Sequence, residues 1–518
     1  MITLFARRAL TAPPIASGLA AAVGGAIAAW HYHLLGLTLS HYDARGHLVV
    51  ARRIIDSITP GWQQIGAVWL PLPHLVNAIP VQLDLFYRTG ASAVAISIAC
   101  YAVTVAAIVW IVRSLTDSTA AACAGAVVFA LNPNVLYLQS TPMTEPMLLA
   151  TATTAVAMLI EWSRKRDSGP HDKKTYGHFS TDAAEKGPYP FLVGWAFALA
   201  CLTRYEAWPV TASALAAAAW VRWRRGQMLP ALVRDVGAIT LYPVLAVAGF
   251  VIFSRVVIGE WFVASGFFVP ENKALGDPML AASEIAWGAR ALSGAALIWI
   301  GSVGATLAFG VGLASRRRAD ALIPVSLLTM AVIPWTAFLR GHPFRIRYIV
   351  PLMAIEAIGA GFAAAAVPNR GIRAACIIVL LAIAAYELHP LDASAPMVVE
   401  AQWDRPNAPA RAQVTACLGR PSPGVKTMAS MGSLGHYMQE MSRSGFEVRD
   451  FLHEGNGDIW LAALERPRLF AAWMLIEEKA EGGDMLARIA RDRPAFLEGY
   501  RRVCEGAGLA LYKRRDYP

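Results

Sequence analysis

Charged residues are scarce in this sequence. Asp, Glu, Lys and Arg make up 16% of its 518 residues, whereas 56% of the residues are apolar. Soluble domains carry about 25% charged residues, so this balance argues against a single large soluble enzyme. Intrinsic disorder is excluded as well, because low hydrophobicity is its signature. The remaining class is a polytopic membrane protein, whose apolar residues form runs of about 20.

Several motifs that carry chemistry are missing too. The chain has no Walker, Rossmann, GxSxG or HExxH pattern, which argues against nucleotide-driven pumps and the commoner hydrolases. Its six cysteines form no CxxC pair and no Cys/His cluster with zinc spacing. The chemistry therefore has to come from individual polar side chains near the apolar runs.

The excess of basic residues is unevenly distributed. The net charge is +10, but from His389 to the end there are 17 basic and 17 acidic residues. The excess therefore belongs to the loops between apolar runs, which is typical of positive-inside topology. A groove for the phosphate backbone of a nucleic acid would concentrate the charge instead, so we expect no nucleic-acid partner.

Eleven apolar runs precede residue 389 and predict about 11 transmembrane helices. The runs are Ile15–Gly36, Ala91–Val112, Thr119–Leu138, Pro146–Trp162, Phe191–Leu202, Ala207–Val221, Val236–Ile258, Ala291–Leu313, Ala321–Leu339, Tyr348–Val367 and Ile372–Leu388. The first run is longer than the core of a signal peptide, which favours an uncleaved anchor. With the N-terminus inside, 18 basic residues fall in inside loops, and the odd number of runs places the tail outside.

The tail over residues 389–518 predicts a small α/β domain. Strand-like runs alternate with helical runs in it; the strand-like ones are Val425–Ser430, Phe446–Leu452, Ala471–Glu477 and Leu509–Lys513. We therefore predict an all-α polytopic membrane domain over residues 1–388, followed by this extracytoplasmic domain.

Asp43 directly follows the first apolar run, at the predicted outer membrane surface. A carboxylate held there can be partly desolvated and act as a general base. The alternative is a solvated or helix-capping Asp. From Ala44 to Ile58 the apolar residues recur at helical spacing, which predicts an amphipathic helix along the interface.

Two further outside loops carry acidic and basic residues. Glu145 stands at the start of the fourth run, where the helix dipole alone would favour a carboxylate. Arg204, Tyr205 and Glu206 lie between two short apolar runs. Because an arginine at the membrane normally has a partner, Arg204 either binds an anion or pairs with Glu206 or Glu145.

The fourth outside loop holds His342, Arg345, Arg347 and Tyr348. Basic residues there run against the positive-inside trend, which suggests an anionic ligand, since arginine suits phosphate oxygens. Contact with lipid headgroups is the alternative. Residues two apart do not share a helix face, so one arginine would bind the ligand and the other would pair with a carboxylate.

Together, the four loops place a base, a second carboxylate and a phosphate clamp on one side of the membrane. This set suits transfer from a lipid-linked phosphate donor, because cations stabilise the departing phosphate and a base activates the acceptor hydroxyl. A transporter or flippase for a lipid-linked substrate is one alternative, although it would place polar residues near mid-bilayer. A non-catalytic membrane assembly subunit is the other.

The motifs also resemble those of the GT-C superfamily of integral-membrane glycosyltransferases. The likeness is greatest to bacterial relatives of dolichyl-phosphate-mannose protein mannosyltransferases and of the lipid A aminoarabinose transferase. It rests on Tyr42-Asp43, Thr144-Glu145, Thr203–Trp208, and Arg345-x-Arg347-Tyr348 with Pro351. The mannosyltransferases often carry two adjacent acidic residues after the first span, whereas here Ala44 follows Asp43.

The resemblance implies a polyprenyl-phosphate-sugar donor and an extracytoplasmic site in the inner (plasma) membrane. Asp43 would be the catalytic base, and Glu145, the second candidate catalytic residue, would support the site. Donor phosphate would be held by Arg204, Arg345, Arg347 and Tyr348, with Tyr205, Glu206 and His342 in support. The acceptor would be a glycan, a lipid or a protein. The tail would assist acceptor binding.

We predict no cofactor. Some relatives bind a divalent metal, but His41, Asp43 and His47 alone make a weak metal site. In an extracytoplasmic tail, Cys417 and Cys504 would either form a disulfide or stay as two unpaired thiols.

Overall fold

In the computed structural model, residues 12–164, 189–261 and 273–518 are described. The basic residues predicted for inside loops at positions 7, 8, 165, 166, 173, 174 and 186 lie outside these ranges.

All eleven apolar runs form helices. Sixteen helices precede residue 388 within the described ranges: α1 (Ala12–Leu34), α2 (Tyr42–Arg53), α3 (Leu72–Asn77), α4 (Asp84–Thr89), α5 (Ala91–Thr116), α6 (Thr119–Ala130), α7 (Pro133–Leu138), α8 (Glu145–Arg164), α9 (Pro190–Cys201), α10 (Ala207–Arg224), α11 (Leu229–Ile258), α12 (Pro278–Ser293), α13 (Ala295–Ala314), α14 (Val332–Leu339), α15 (Met353–Ala365) and α16 (Arg370–Glu387). Two 3₁₀ segments, Arg316–Ala331 and Ile346–Leu352, precede α14 and α15.

One predicted run is broken where a cap and a proline meet. Asn132 accepts hydrogen bonds from the backbone of Asn134 and Val135, at 2.9 and 3.3 Å, and Pro133 occupies the first position of α7. An Asn cap followed by proline begins a new helix, so the run Thr119–Leu138 becomes α6 and α7.

Seven helices in the described ranges are long and apolar enough to cross a membrane. They are Ala12–Leu34, Ala91–Thr116, Glu145–Arg164, Leu229–Ile258, Ala295–Ala314, Arg316–Leu339 and Ile346–Ala365. The other four predicted spans correspond to α6, α9, α10 and α16, which fall below that length or hydropathy. The chain is a multi-pass membrane protein.

Helix ends predicted to share the inside lie together. Arg164, at the end of α8, pairs with Asp320. Arg225, just after α10, lies 3.4 Å from the same carboxylate and donates to the carbonyl of Ser163 at 2.8 Å. The predicted alternation of sides is therefore present in these helices.

The C-terminal part contains one five-stranded sheet, as the alternating pattern predicts. Its strands are β1 (Thr427–Ala429), β2 (Phe451–Leu452), β3 (Trp473–Glu477), β4 (Tyr500–Gly506) and β5 (Leu509–Arg514), in the order β2-β1-β3-β5-β4. Strand β1 is parallel to β2 and β3, whereas β5 is antiparallel to β3 and β4. Five helices belong to this part of the chain: α17 (Pro396–Glu400), α18 (Ala408–Ala416), α19 (Met431–Met441), α20 (Asp458–Glu465) and α21 (Met485–Asp492).

Both faces of the sheet are buried. Met474 and Ile476 of β3 belong to one apolar cluster, and Leu475 between them belongs to another. Successive side chains of a strand point to opposite faces, so the helices cover the sheet on both sides. Before the sheet, the Met397 amide donates to Asn134 of the membrane part at 2.8 Å. The boundary between residues 388 and 389 stays a prediction.

Cys417 and Cys504 form a disulfide, and they lie 87 positions apart along the chain. Replacing both with serine is expected to lower the free energy of unfolding of the C-terminal part by about 2–5 kcal/mol, because closing a long loop restricts the unfolded chain. The effect is measured by urea denaturation of the full chain in detergent, in which limited proteolysis reports the fraction of residues 408–518 that is unfolded at each urea concentration. Cys376→Ser, in α16, is the control. An unchanged midpoint in the double variant would contradict this expectation.

Candidate active site

Helix α2 carries Asp43 in its first turn. The ring of His41 caps the helix, and its Nδ1 accepts a hydrogen bond from the Asp43 amide at 3.1 Å. A carboxylate in this position is favoured by the helix dipole. The predicted interfacial helix over Ala44–Ile58 was wrong in extent and setting: α2 ends at Arg53 and is buried along most of its length, because the C-terminal part packs over it.

Asp43 forms an ion pair with Arg347. Both residues are almost completely buried, with exposed fractions of 6% for Asp43 and 5% for Arg347. Arg347 also donates to the hydroxyl of Tyr348 at 3.1 Å, and its guanidinium lies 4.8 Å from the centre of the Tyr348 ring. One of the two arginines therefore pairs with a carboxylate, as their spacing predicted.

A second buried cluster lies around Arg204. Its Nη1 is 3.0 Å from Oε1 of Glu145, and its Nη2 donates to Glu206 at 2.7 Å. Its Nη1 also donates to the hydroxyl of Thr144 at 3.0 Å. Burial lowers the pKa of Arg204, but Glu145 and Glu206 raise it further. The guanidinium therefore keeps its charge inside the protein.

The two clusters are neighbours. Arg347 lies close enough to oppose the rise in the pKa of Arg204. Three carboxylates (Asp43, Glu145, Glu206) thus face two guanidinium groups, which leaves one negative charge in excess. An anionic ligand fits here only if it takes over contacts that the carboxylates now make, or if further cations lie nearby.

Arg345 supplies such a cation. It precedes the 3₁₀ segment in an extended conformation. Burial lowers the pKa of His41 next to Asp43, and the charges of Arg347 and Arg345 lower it further. Tyr205 lies apart from this group: its hydroxyl donates to the carbonyl of Ala67 at 3.0 Å. His342 contacts the ring of Tyr348 at 5.4 Å between centroids.

The structure therefore brings together six of the nine predicted site residues. They are Asp43, Glu145, Arg204, Glu206, Arg347 and Tyr348. Arg345 and His342 lie next to this group, and Tyr205 contacts Ala67 in the segment between α2 and α3.

Sequence reasoning missed several residues of the site. Glu400 accepts a hydrogen bond from the amide of Ile346 at 2.6 Å and thereby holds the segment that carries Arg347. The ring of Tyr42 contacts Trp403 and His436, at 5.8 and 6.3 Å between centroids. These partners lie far along the chain, and no local pattern marks them.

The C-terminal part lies on the same end as Asp43, as the odd number of spans predicted. Asp56, three residues beyond α2, accepts hydrogen bonds from the amide of Val448 at 3.0 Å and from Nε of Arg449 at 2.8 Å. At the other end of α2, Arg45 pairs with Glu440 at 2.7 Å. The helix that carries Asp43 is therefore held at both ends by the C-terminal part.

The residues considered for a metal do not form a metal site here. Asp43 is paired with Arg347, Nδ1 of His41 accepts from the Asp43 amide, and His47 contacts His74. Across residues 12–164, 189–261 and 273–518, no group of three or more His, Cys, Asp or Glu side chains is placed to hold a metal ion. Independence from a metal stays a prediction.

No protein-family model and no curated protein matches the chain significantly. Solved structures do match it. ArnT from Cupriavidus metallidurans bound to undecaprenyl phosphate is 14% identical, with a TM-score of 0.58, over 95% of this chain and 97% of that one. ArnT from the same organism in the apo state is 13% identical, with a TM-score of 0.52, over 95% of this chain and 98% of that one. The oligosaccharyltransferase of Archaeoglobus fulgidus in the apo form is 11% identical, with a TM-score of 0.53, over 97% of this chain and 75% of that one.

These matches show the fold. The neighbours are GT-C glycosyltransferases, and the alignment covers the membrane part and the sheet-containing part together. The chain therefore has the GT-C fold, which confirms the architecture expected from its motifs.

Proposed function

We propose that this protein is a glycosyltransferase that moves a sugar from a polyprenyl-phosphate-linked donor to an acceptor hydroxyl. The observation that carries the proposal is the buried Asp43–Arg347 pair beside the Glu145–Arg204–Glu206 cluster. The fold supports it, because a structure of the same fold holds undecaprenyl phosphate. The sugar is a hexose or a pentose.

Asp43 acts as the general base. It takes the proton of the acceptor hydroxyl as the acceptor oxygen bonds to the anomeric carbon of the sugar. The bond between that carbon and the phosphate oxygen breaks, and polyprenyl phosphate leaves with the electron pair. Arg347 faces Asp43 before the donor arrives. As it turns to the donor phosphate, Asp43 loses a stabilising partner and becomes a stronger base.

The remaining residues stabilise the departing phosphate and keep the site in shape. Arg204, Arg345 and Tyr348 contact the phosphate together with Arg347, since cations and hydroxyls favour its developing charge. Glu145 and Glu206 hold Arg204 in place. Tyr205 supports the loop that carries Arg204 through its hydrogen bond to Ala67. His342 supports the loop that carries Arg347 through its contact with the ring of Tyr348.

The site lies on the extracytoplasmic face of the inner (plasma) membrane, with the N-terminus in the cytoplasm. The basic residues on the opposite helix ends support this orientation, and so does the disulfide in the C-terminal part, because disulfides persist outside the cytoplasm.

Transfer of labelled sugar in proteoliposomes tests the proposal. A panel of polyprenyl-phosphate hexoses and pentoses is supplied with cell-envelope glycan, lipid and protein fractions as acceptors. We expect label to move from one donor to one fraction and polyprenyl phosphate to be released in equal amount. Movement of intact donor across the bilayer without product would favour a transporter. Neither product nor movement with any donor would favour an assembly subunit.

A further inference from the structure

His47 lies one helical turn beyond Asp43 and contacts a second buried histidine, His74 of α3. Neither has a role in the mechanism above. His47 follows Asp43 by four residues on α2, so both lie on one face of the helix. Its Nδ1 is 3.0 Å from Nε2 of His74, and Nδ1 of His74 is 3.0 Å from the carbonyl oxygen of Leu70. Both residues are buried, with exposed fractions of 6% for His47 and 1% for His74.

This chain of contacts fixes where the protons are. A carbonyl oxygen only accepts, so Nδ1 of His74 carries a proton, and in a neutral ring Nε2 is then a bare acceptor. Nδ1 of His47 must therefore be the donor to it, which leaves Nε2 of His47 with a lone pair. Burial lowers the pKa of His74 to about 4 and that of His47 well below its usual range, so both rings are neutral at pH 7.

The ring of His47 is also fixed in orientation. It lies 4.1 Å from the ring of Trp69, between centroids. Trp69 in turn covers Gly46, where an added Cβ would lie 2.9 Å from the indole. A glycine at this position thus lets the indole approach α2 and hold the imidazole.

His47 lines a cavity that borders the candidate active site. The cavity measures about 30 Å³, and its polar lining comprises His47, His74, Asn77, Ser97 and Thr144. Thr144 is the residue whose hydroxyl accepts a hydrogen bond from Arg204. Since a water molecule needs about 10–15 Å³ by the same measure, the space holds one or two groups of that size.

We propose that His47 is a substrate-binding residue whose Nε2 accepts a hydrogen bond from one hydroxyl or hydroxymethyl group of the transferred sugar, with His74 as the positioning residue that sets its tautomer. Among the described residues Nε2 of His47 has no hydrogen-bond partner. The inference rests on the proposed function, and it assigns the cavity beside Thr144 to a single polar group of the donor.

Donors that lack single hydroxyls test the inference. The wild type is compared with His47→Phe, which keeps a ring against Trp69 but has no acceptor nitrogen, and with His33→Phe, an exposed control on α1. We expect one deoxy donor to lower kcat/KM of the wild type about 10- to 100-fold, because a buried acceptor without its donor is unfavourable. The same deletion should change little in His47→Phe. If His47→Phe lowers kcat/KM relative to the wild type by the same factor for the intact donor and for every deoxy donor, the inference is overturned.

Nitrogen NMR of histidine-labelled protein in nanodiscs is a second test that needs no turnover. The signal that disappears in His47→Phe should report a protonated Nδ1 and an unprotonated Nε2, and His74→Phe should mix the two tautomers. A charged ring, or a proton on Nε2, would overturn the inference. If no donor is turned over, the proposed function fails, and the dissociation constants of the donors for wild type and His47→Phe still decide the role of His47.

Discussion

Asp43→Asn is expected to reduce sugar transfer about 100- to 10,000-fold and to leave the protein folded. Asparagine has the size of aspartate and still accepts a hydrogen bond from Arg347, but it cannot take the proton of the acceptor hydroxyl. Loss of general-base catalysis costs roughly 100- to 10,000-fold in rate. The measurement is initial-rate transfer in proteoliposomes with the donor identified from the panel.

The matched control is Asp117→Asn. Asp117 is exposed and lies after α5, at the end of the helices opposite the site, with a φ of 55°. Asparagine readily adopts this left-handed conformation, so rate and stability should both be unchanged. Wild-type transfer by Asp43→Asn would leave the enzyme class intact but move the base elsewhere, with Glu145 next to be replaced.

A stability measurement on the same variant separates loss of chemistry from loss of fold. The thermal midpoint of Asp43→Asn should fall less than that of Arg204→Gln, because the neutral amide still accepts from Arg347 and two carboxylates remain for the two guanidinium groups of the site. A large drop together with lost transfer would mean that Asp43 serves mainly to hold Arg347 inside the protein.

Composition and hydropathy were enough to predict the membrane part, because burial in lipid demands long apolar runs. Breaks within runs were harder to predict. The division of Thr119–Leu138 depends on the cap at Asn132, and that of Ala291–Leu313 depends on Gly294, where the chain turns with a φ of 99°. Both breaks depend on one or two residues within apolar sequence.

The site residues could be predicted where a charged side chain stood out against an apolar background. Asp43, Arg204 and Arg347 did so, and the structure places them together. Glu400 did not, because it lies in a tail in which charged residues are common. The setting of α2 was predicted wrongly for a related reason: its amphipathic pattern fits either a membrane interface or a protein interface. Val448 of the tail belongs to the same buried apolar cluster as Leu48 and Val49 of the helix.

Arg204→Gln is expected to lower both stability and transfer. Its guanidinium is the partner of Glu145 and Glu206, whose exposed fractions are 0% and 3%. Removing one member of a buried ion pair costs about 3–5 kcal/mol, because it leaves an uncompensated charge in the interior. We therefore expect a lower thermal midpoint in nanodiscs and transfer reduced by at least about 100-fold.

A second substitution distinguishes the structural share of that loss from the chemical one. In Arg204→Gln/Glu206→Gln one of the two stranded carboxylates becomes a neutral amide, so part of the stability should return. Transfer should stay low, because the donor phosphate still lacks the guanidinium. Arg502→Gln is the control, since Arg502 is 42% exposed at the side chain and its pairs with Glu478 and Glu505 are worth at most about 1 kcal/mol. Recovery of transfer along with stability would show that Arg204 serves the fold alone, and the phosphate would then have to be held by Arg345 and Arg347.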